Sequence, residues 1–111
     1  LLAHMQAICT NLTTPIGQAI LSLVAGMRHN PELAEALRQG YVSLRRAEIA
    51  ELLGRADARG ELRPGLDHEL VVDLIVSPLW YRALVWGECP QRERLEALVD
   101  TLLSGLMVVT G

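Results

Sequence analysis

The chain has no phenylalanine and no lysine, and its aromatic residues are two tryptophans and two tyrosines. Yet 50% of its 111 residues are hydrophobic. The core must therefore be aliphatic, built from Leu, Val, Ile, Ala and Met. No long β-branched alternation appears, and Leu and Ala favour helix, so the fold class expected is all-α. All ten basic residues are arginine, and the net charge is −3. Gripping nucleic acid takes clustered cations, whereas these arginines alternate with acids in the pattern of solvated helix faces. The two cysteines, Cys9 and Cys89, are too few and too far apart for a disulfide framework. Free thiols in a cytoplasmic protein are expected instead. The most apolar run, Leu70 to Trp86, is short for a membrane span and contains Asp73, Pro78 and Arg82. No membrane association is expected, and no signal peptide is visible. The length suits one domain, residues 1–111. Because the chain opens on Leu1 in the middle of an apolar pattern, it is expected to be part of a longer protein.

Helical punctuation is clear along the chain. Leu1, Leu2, Met5, Ile8 and Cys9 recur at helical spacing, and Asn11 to Thr14 break the pattern. Thr14 is a candidate N-cap with Pro15 at the first helical position. The helix that follows is expected to bury Ile16, Ile20, Leu23, Val24 and Met27 and to stop near His29. Asn30-Pro31 repeats the cap chemistry for a short helix over Glu32–Gln39, ended by Gly40. Tyr41–Arg59 reads as a long amphipathic helix with Val42, Ile49, Leu52, Leu53 and Ala56 on its apolar stripe. Gly60 ends it, and Pro64-Gly65 marks a turn. Asp67 then caps a helix running to Trp86, with Leu66 and Val71 placed as a hydrophobic staple and Gly87 as its stop. Pro78 inside that helix is expected to kink it. Pro90 opens a last helix, with Leu95, Leu98, Val99, Leu102, Leu103 and Leu106 on one stripe, ending around Val108.

Catalytic and metal chemistry has no recognisable signature. His4, His29 and His68 lack ligand-like spacing with each other or with the cysteines. No nucleophile–base set, phosphate-binding glycine loop or paired-carboxylate site is present. Glu93, Glu96 and Asp100 read as a solvated face. No enzyme activity, metal or cofactor is expected.

Three segments resemble the C-terminal half of the tetracycline-repressor (TetR) family of bacterial transcription regulators: NPELAEALRQ at 30–39, RRAEIAELLGRADARGELR at 45–63 and PLWYRALVWGE at 78–88. The similarity is clearest from Pro31 to Leu106. It implies a helical bundle of about five to six helices. It also implies a homodimer, made as the last two helices pair with their symmetry mates, and a pocket for a small-molecule effector among the earlier helices. Operator DNA would be bound only through an N-terminal helix-turn-helix domain that is absent from this chain. The interface candidates are Leu74, Pro78, Tyr81, Val85, Leu95, Leu98, Leu102, Gly105 and Leu106. A physical argument points the same way: a helix apolar nearly all round needs two buried sides. Ser104 and Gly105 are small enough to let two helices approach. The competing reading packs both helices inside a monomer, or makes the chain a stand-alone dimerisation scaffold without ligand.

The pocket candidates are Met5, Cys9, Leu23, Met27, Arg45, Ile49, Ser77 and Trp80. Trp80, Ser77, Asp73 and Leu84 share one stripe, which offers an apolar wall with a few polar groups. Trp80 could equally fill a core. Met5 and Met27 fit either a pocket or a core. Arg45 falls on the apolar stripe of its helix, so its guanidinium needs an anion or carbonyls. That partner is either an acidic effector group or, as preferred here, Asp67, Asp73 or helix-end carbonyls. Arg82 is read as structural.

Overall fold

The computed structural model describes residues 1–107, and these form helices with a single isolated bridge, Leu62 to Met107. The order is α1 (Leu2–Thr13), α2 (Pro15–Gly26), a 3-10 turn (Met27–His29), α3 (Pro31–Leu37), α4 (Ser43–Ala58), α5 (His68–Tyr81) and α6 (Arg92–Leu106). The all-α expectation holds.

Local chemistry sets most boundaries. The Thr14 hydroxyl accepts from the Gly17 N–H at 3.0 Å, and the Asn30 side chain accepts from the Leu33 N–H at 3.1 Å. The Asp67 carboxylate accepts from the N–H groups of Glu69 and Leu70 at 3.1 and 3.3 Å. Each cap satisfies donors that the first helical turn leaves free. Gly60 and Gly87 stop their helices in the left-handed region, both at φ 72°.

Two boundaries differ from the sequence reading, at Gly40 and Pro90. Gly40 does not end a helix: α3 passes through a π-helical stretch, Arg38–Val42, directly into α4. No Cα of L-stereochemistry is strained there, because Arg38 and Ser43 on either side both stay right-handed helical. A lone glycine weakens a helix without obliging it to stop. Pro90 does not open α6, which starts at Arg92 with Gln91 as its cap. The expected end near Val108 lies outside the described residues; α6 closes at Leu106. Pro78 does not terminate α5, which continues through it and widens into a second π-helical stretch, Arg82–Trp86.

The main core joins α1, α4, α5 and α6. Met5 and Cys9, Ile49 and Leu53, Val71, Val72, Ile75 and Leu79, and Leu95, Val99 and Leu106 meet there. Leu66 joins the same cluster as Val71, as the staple requires. A smaller cluster of Leu12, Leu21 and Ala83 closes the other end. The α4–α5 loop ties down the end of α6: the Arg63 N–H donates to the Leu106 carbonyl at 2.7 Å, and its guanidinium donates to the Gly105 carbonyl at 3.0 Å. These bonds satisfy carbonyls that a helix C-terminus leaves free.

α2 contradicts the expected burial. Ile16 is 75% exposed, Leu23 is exposed, and Ile20, Val24 and Met27 are only half-buried. Its buried positions are Gly17 and Leu21. The reason is a close corner with α1, at which the two helix directions differ by 84°. Gly17 lies so near the end of α1 that an added Cβ would sit 1.8 Å from the Asn11 carbonyl oxygen. The contact face of α2 is thereby fixed on its glycine side, and the isoleucine stripe turns away.

The molecule is a slab, 48 × 29 × 18 Å. Its radius of gyration is 15.0 Å, against about 13 Å for a compact domain of this length. The thin axis is under two helix diameters of roughly 10–12 Å, so most helices keep one face open. Among the described residues no single helix is long and apolar enough to cross a membrane; the α1–α2 pair has the apolarity but is bent.

Candidate functional site

Two neighbouring hollows flank the α3–α4 junction, one between α2 and α5 and the other beside the α1–α2 corner and α4. One, of about 190 Å³, is walled by Val24, Met27, Val42, Val76, Ser77 and Trp80 and is almost wholly apolar. The other, of about 330 Å³, is lined by Asn11, Thr14, Ile16, Gly17, Ile20, Tyr41 and Arg45. The rings of Tyr41 and Trp80 meet edge to face, with centroids 6.1 Å apart and planes at 74°. Each ring lines one hollow, so this aromatic pair stands where the hollows adjoin. Both are open, and each is small or marginal against the roughly 300–1,000 Å³ of an enclosing small-molecule site.

The candidate pocket residues divide. Met27, Ser77 and Trp80 are brought together in the smaller hollow, and Arg45 lines the larger. Met5, Cys9 and Ile49 do not face either hollow; they are buried in the main core. Leu23 is exposed and lines neither. Helical spacing grouped these residues by face but could not say which faces touch. Tyr41, Val42, Val76 and Ile20 complete the walls. The signal for Tyr41 was its i, i+4 relation to Arg45, and the Arg45 guanidinium does lie 5.8 Å from the Tyr41 ring centroid.

Arg45 also pairs with Glu48 at 3.3 Å, and its buried Nε has no partner. The expected partner Asp73 is taken by the next residue instead. Arg46 donates to the Asp73 carboxylate, and to the Glu69 carbonyl at 3.3 Å, tying α4 to α5. Arg82 stacks over Trp86 at 5.9 Å. Among the described residues no group of three His, Cys, Asp or Glu side chains could hold a metal ion.

The interface candidates divide as well. On α5 and its extension, Leu74 is 48% exposed, Tyr81 55% and Val85 60%. Leu70, Leu84 and Trp86 are exposed beside them. Leu70, Leu74, Ser77, Tyr81 and Val85 fall on one helical stripe, directly opposite the buried Val71, Ile75, Leu79 and Ala83. Pro78 is half-buried at its edge. On α6, Leu95 and Leu106 are not on an open face; both are buried in the chain's own core. Leu98 and Leu102 are half-buried against that core, and Gly105 is exposed with open space around it. A gap between the two helices, lined by Pro78, Tyr81, Arg82, Arg94 and Leu98 among others, continues the exposed stripe towards α6.

Residues 1–102 match the family described as "Tetracyclin repressor-like, C-terminal domain". The HTH-type transcriptional regulator YdeS of Bacillus subtilis is 29% identical over 111 residues, covering all of this chain and 56% of that protein. The HTH-type transcriptional regulator Rv1556 of Mycobacterium tuberculosis is 29% identical over 93 residues, 83% of this chain and 46% of that protein. Both carry the description uncharacterized. The crystal structure of the TetR family transcription regulator SCO0332 superposes with a TM-score of 0.86 at 34% identity, over 99% of this chain and 60% of that one. The chain thus spans about half the length of the curated relatives it matches. By sequence and by fold, it belongs to the tetracycline-repressor-like C-terminal domain family.

Proposed function

We propose that this chain is the regulatory domain of a bacterial TetR-type transcription regulator. In this reading it dimerises through α5 and α6, and it binds a small, largely apolar effector at the Tyr41–Trp80 hollows. The observation that carries the reading is the exposed apolar stripe on α5, opposite an equally apolar buried one. Six large apolar side chains on α5 and its extension face outward: Leu70, Leu74, Tyr81, Leu84, Val85 and Trp86. A continuous patch of that kind marks a surface covered in the working molecule. A second copy is the simplest cover, because two-fold homodimers dominate soluble oligomers.

The DNA-binding part lies outside this chain in the proposal. The relatives are named for a helix-turn-helix and are longer than this chain. An effector that binds one arrangement of α2, α4 and α5 more tightly than another would shift the dimer towards that arrangement. The spacing of the DNA-binding domains would then follow. Differential affinity, and not occupancy alone, sets the size of the response.

Sedimentation of the chain across a concentration series tests the dimer. Leu74→Arg is the best probe, because Leu74 is open to solvent while Leu102 is packed against the core. Each protomer would lose about 1 kcal/mol of apolar burial and gain a guanidinium to desolvate. Two-fold symmetry repeats both costs, so self-association should weaken at least about a hundredfold. A dimer indifferent to Leu74→Arg would overturn the interface. A dimer that no apolar compound raises in melting temperature would leave the ligand-free scaffold.

A further inference from the structure

The two cysteines, 80 residues apart in sequence, are neighbours in space. Cys9 lies on α1 and is buried in the main core; Cys89 lies in the connection between the end of the α5 extension and α6 and is half-exposed. Both are free thiols. The Cys89 thiol reaches the Cys9 backbone carbonyl at 3.8 Å, which sets the two residues side by side. Cys89 also opens on a separate hollow of about 530 Å³, ringed by Arg82, Trp86, Glu88, Gln91 and Arg94.

We propose that Cys89 and Cys9 form a hydroperoxide-reactive dithiol site, in which Cys89 is oxidised first and Cys9 closes an intrachain disulfide. The asymmetry of the pair assigns the roles. Cys89 is the more open of the two, and Cys9 is buried. Arg82 and Arg94 bring positive charge to the same hollow, where the departing oxygen of a peroxide gathers negative charge, and Glu88 is the one acid on its rim. In the first step the Cys89 thiolate attacks one peroxide oxygen. An S–O bond forms, the O–O bond breaks, and the second oxygen leaves as hydroxide or alkoxide and takes up a proton. Sulfur is oxidised to the sulfenic acid and the peroxide is reduced.

In the second step the Cys9 sulfur attacks the Cys89 sulfur. An S–S bond forms, the S–O bond breaks, and the hydroxyl leaves as water with the Cys9 proton. Cys9 takes the resolving role by position, since its burial leaves it the less reactive of the two thiols towards peroxide. Burial first, and then the hydrogen bond and charge of Cys89, hold its pKa up to about 12. It therefore stays protonated while Cys89 is a thiol or thiolate; conversion of Cys89 to a neutral sulfenic acid removes the charge contribution, while burial, the largest cause, remains. Proximity supplies the rest, because the two sulfurs need no diffusion to meet. The product would staple α1 to the α5–α6 connection.

The test treats the full reduced chain with hydrogen peroxide in slight excess. Denaturing alkylation, intact mass and a non-reducing peptide map then follow over time. Both thiols should disappear together into a Cys9–Cys89 link, and the oxidised chain should melt at a higher temperature, as closing an 80-residue loop requires. In Cys9→Ser, Cys89 should halt as a sulfenic acid that dimedone traps; in Cys89→Ser, Cys9 should remain unmodified. Thiols that stay alkylatable while a free dithiol peptide in the same tube is oxidised would overturn the proposal. So would a Cys89 link formed only between chains. Should Cys9→Ser fold poorly, the wild-type time course decides alone, because the sulfenic acid must precede the disulfide.

Discussion

A methyl group added at Gly17 should unfold much of what the same methyl group added at Gly54 stabilises. Both glycines sit within helices, α2 and α4, and both have right-handed backbone. In either position alanine gains about 1 kcal/mol over glycine from helix propensity and a less flexible unfolded chain. At Gly54 nothing lies within 4 Å of the new Cβ, so the gain stands. At Gly17 the new Cβ would lie 1.8 Å from the Asn11 carbonyl oxygen, 2.7 Å from the Leu12 Cα and 2.8 Å from the Asn11 carbonyl carbon. Ordinary contact begins at 3.4 Å, so this backbone would have to retreat by about 1.6 Å, far beyond what an added methylene normally asks of a core.

Backbone cannot rotate away as a side-chain tip can, and here it is already committed. The Asn11 carbonyl accepts from the Thr14 hydroxyl at 2.7 Å and from the Thr14 N–H at 3.3 Å. Opening the corner would break these bonds and the Thr14 cap on α2, each worth about 1 kcal/mol. Overpacking adds about 1–3 kcal/mol. After the propensity gain, Gly17→Ala should cost about 3 kcal/mol or more, while Gly54→Ala should gain up to about 1 kcal/mol. Urea unfolding of the two variants and the parent reads this directly as opposite shifts in midpoint at similar slope. A Gly17→Ala protein as stable as the parent would refute the close corner, and with it the account of why the isoleucine stripe of α2 faces the hollows.

Three further outcomes follow from the same geometry. Leu79→Ala removes a side chain with 0% exposure at the centre of the core and should cost about 2–5 kcal/mol in the same urea assay; a loss under 1 kcal/mol would mean the site collapses around the gap. Trp80→Ala should reduce or abolish the melting-temperature rise given by any apolar compound that binds, without changing the sedimentation of the dimer; an undiminished rise would take Trp80 out of the ligand site. Iodoacetamide near neutral pH should label Cys89 and spare Cys9 until the chain is unfolded. The native state holds the Cys9 proton up to about pH 12, whereas an unperturbed thiol releases it near 9.0. Between those values the unfolded state binds fewer protons, so stability should fall as pH rises through that window, and Cys9→Ala should flatten the fall.

The fold was largely legible in the sequence because its signals are local. Thr14, Asn30 and Asp67 each declare a helix start by a side chain reaching two or three residues ahead. The α6 stripe of Leu95, Val99 and Leu106 is read from spacing, whereas α5, apolar nearly all round, does not declare which of its faces is buried. Gly40 misled, because a glycine signal says only that a break is tolerated, and the chain passes through it as a π-helical stretch. The site was less legible because it depends on which faces meet. Met5, Cys9 and Ile49 have the spacing of pocket residues, yet α1 and α4 turn them into the core. The burial of α2 was misplaced for one reason: Gly17 approaches α1 across a corner that no periodicity encodes. Arg46, not Arg45, reaches Asp73, a difference of one position that is about 100° on a helix. The meeting of Cys9 with Cys89 is likewise a property of the tertiary fold.

Among the described residues two apolar surfaces remain uncovered once the core is formed, and in the proposed reading their shapes divide the work between them. The stripe of α2 (Ile16, Ile20 and Met27, with Val24 beside it) faces Tyr41, Val42, Val76 and Trp80 across a gap. A surface opposed by another part of the same chain is concave, and only something small can fill it. The stripe of α5 has the core behind it and no described residue in front, so in the proposed reading a surface of comparable size and flatness covers it. Both stripes belong to helices that also feed the core through their opposite faces: α2 through Leu21, and α5 through Val71, Ile75, Leu79 and Ala83. Filling the gap would therefore press on α5 from the side adjacent to its outward stripe, with Val76, Ser77 and Trp80 on the very helix that carries Leu74 and Tyr81. Close-packed helices move as units rather than compress. In the proposed reading, a ligand wedged against Trp80 would thus have a direct mechanical route to the α5 surface, one helix thick, with no longer chain of contacts needed.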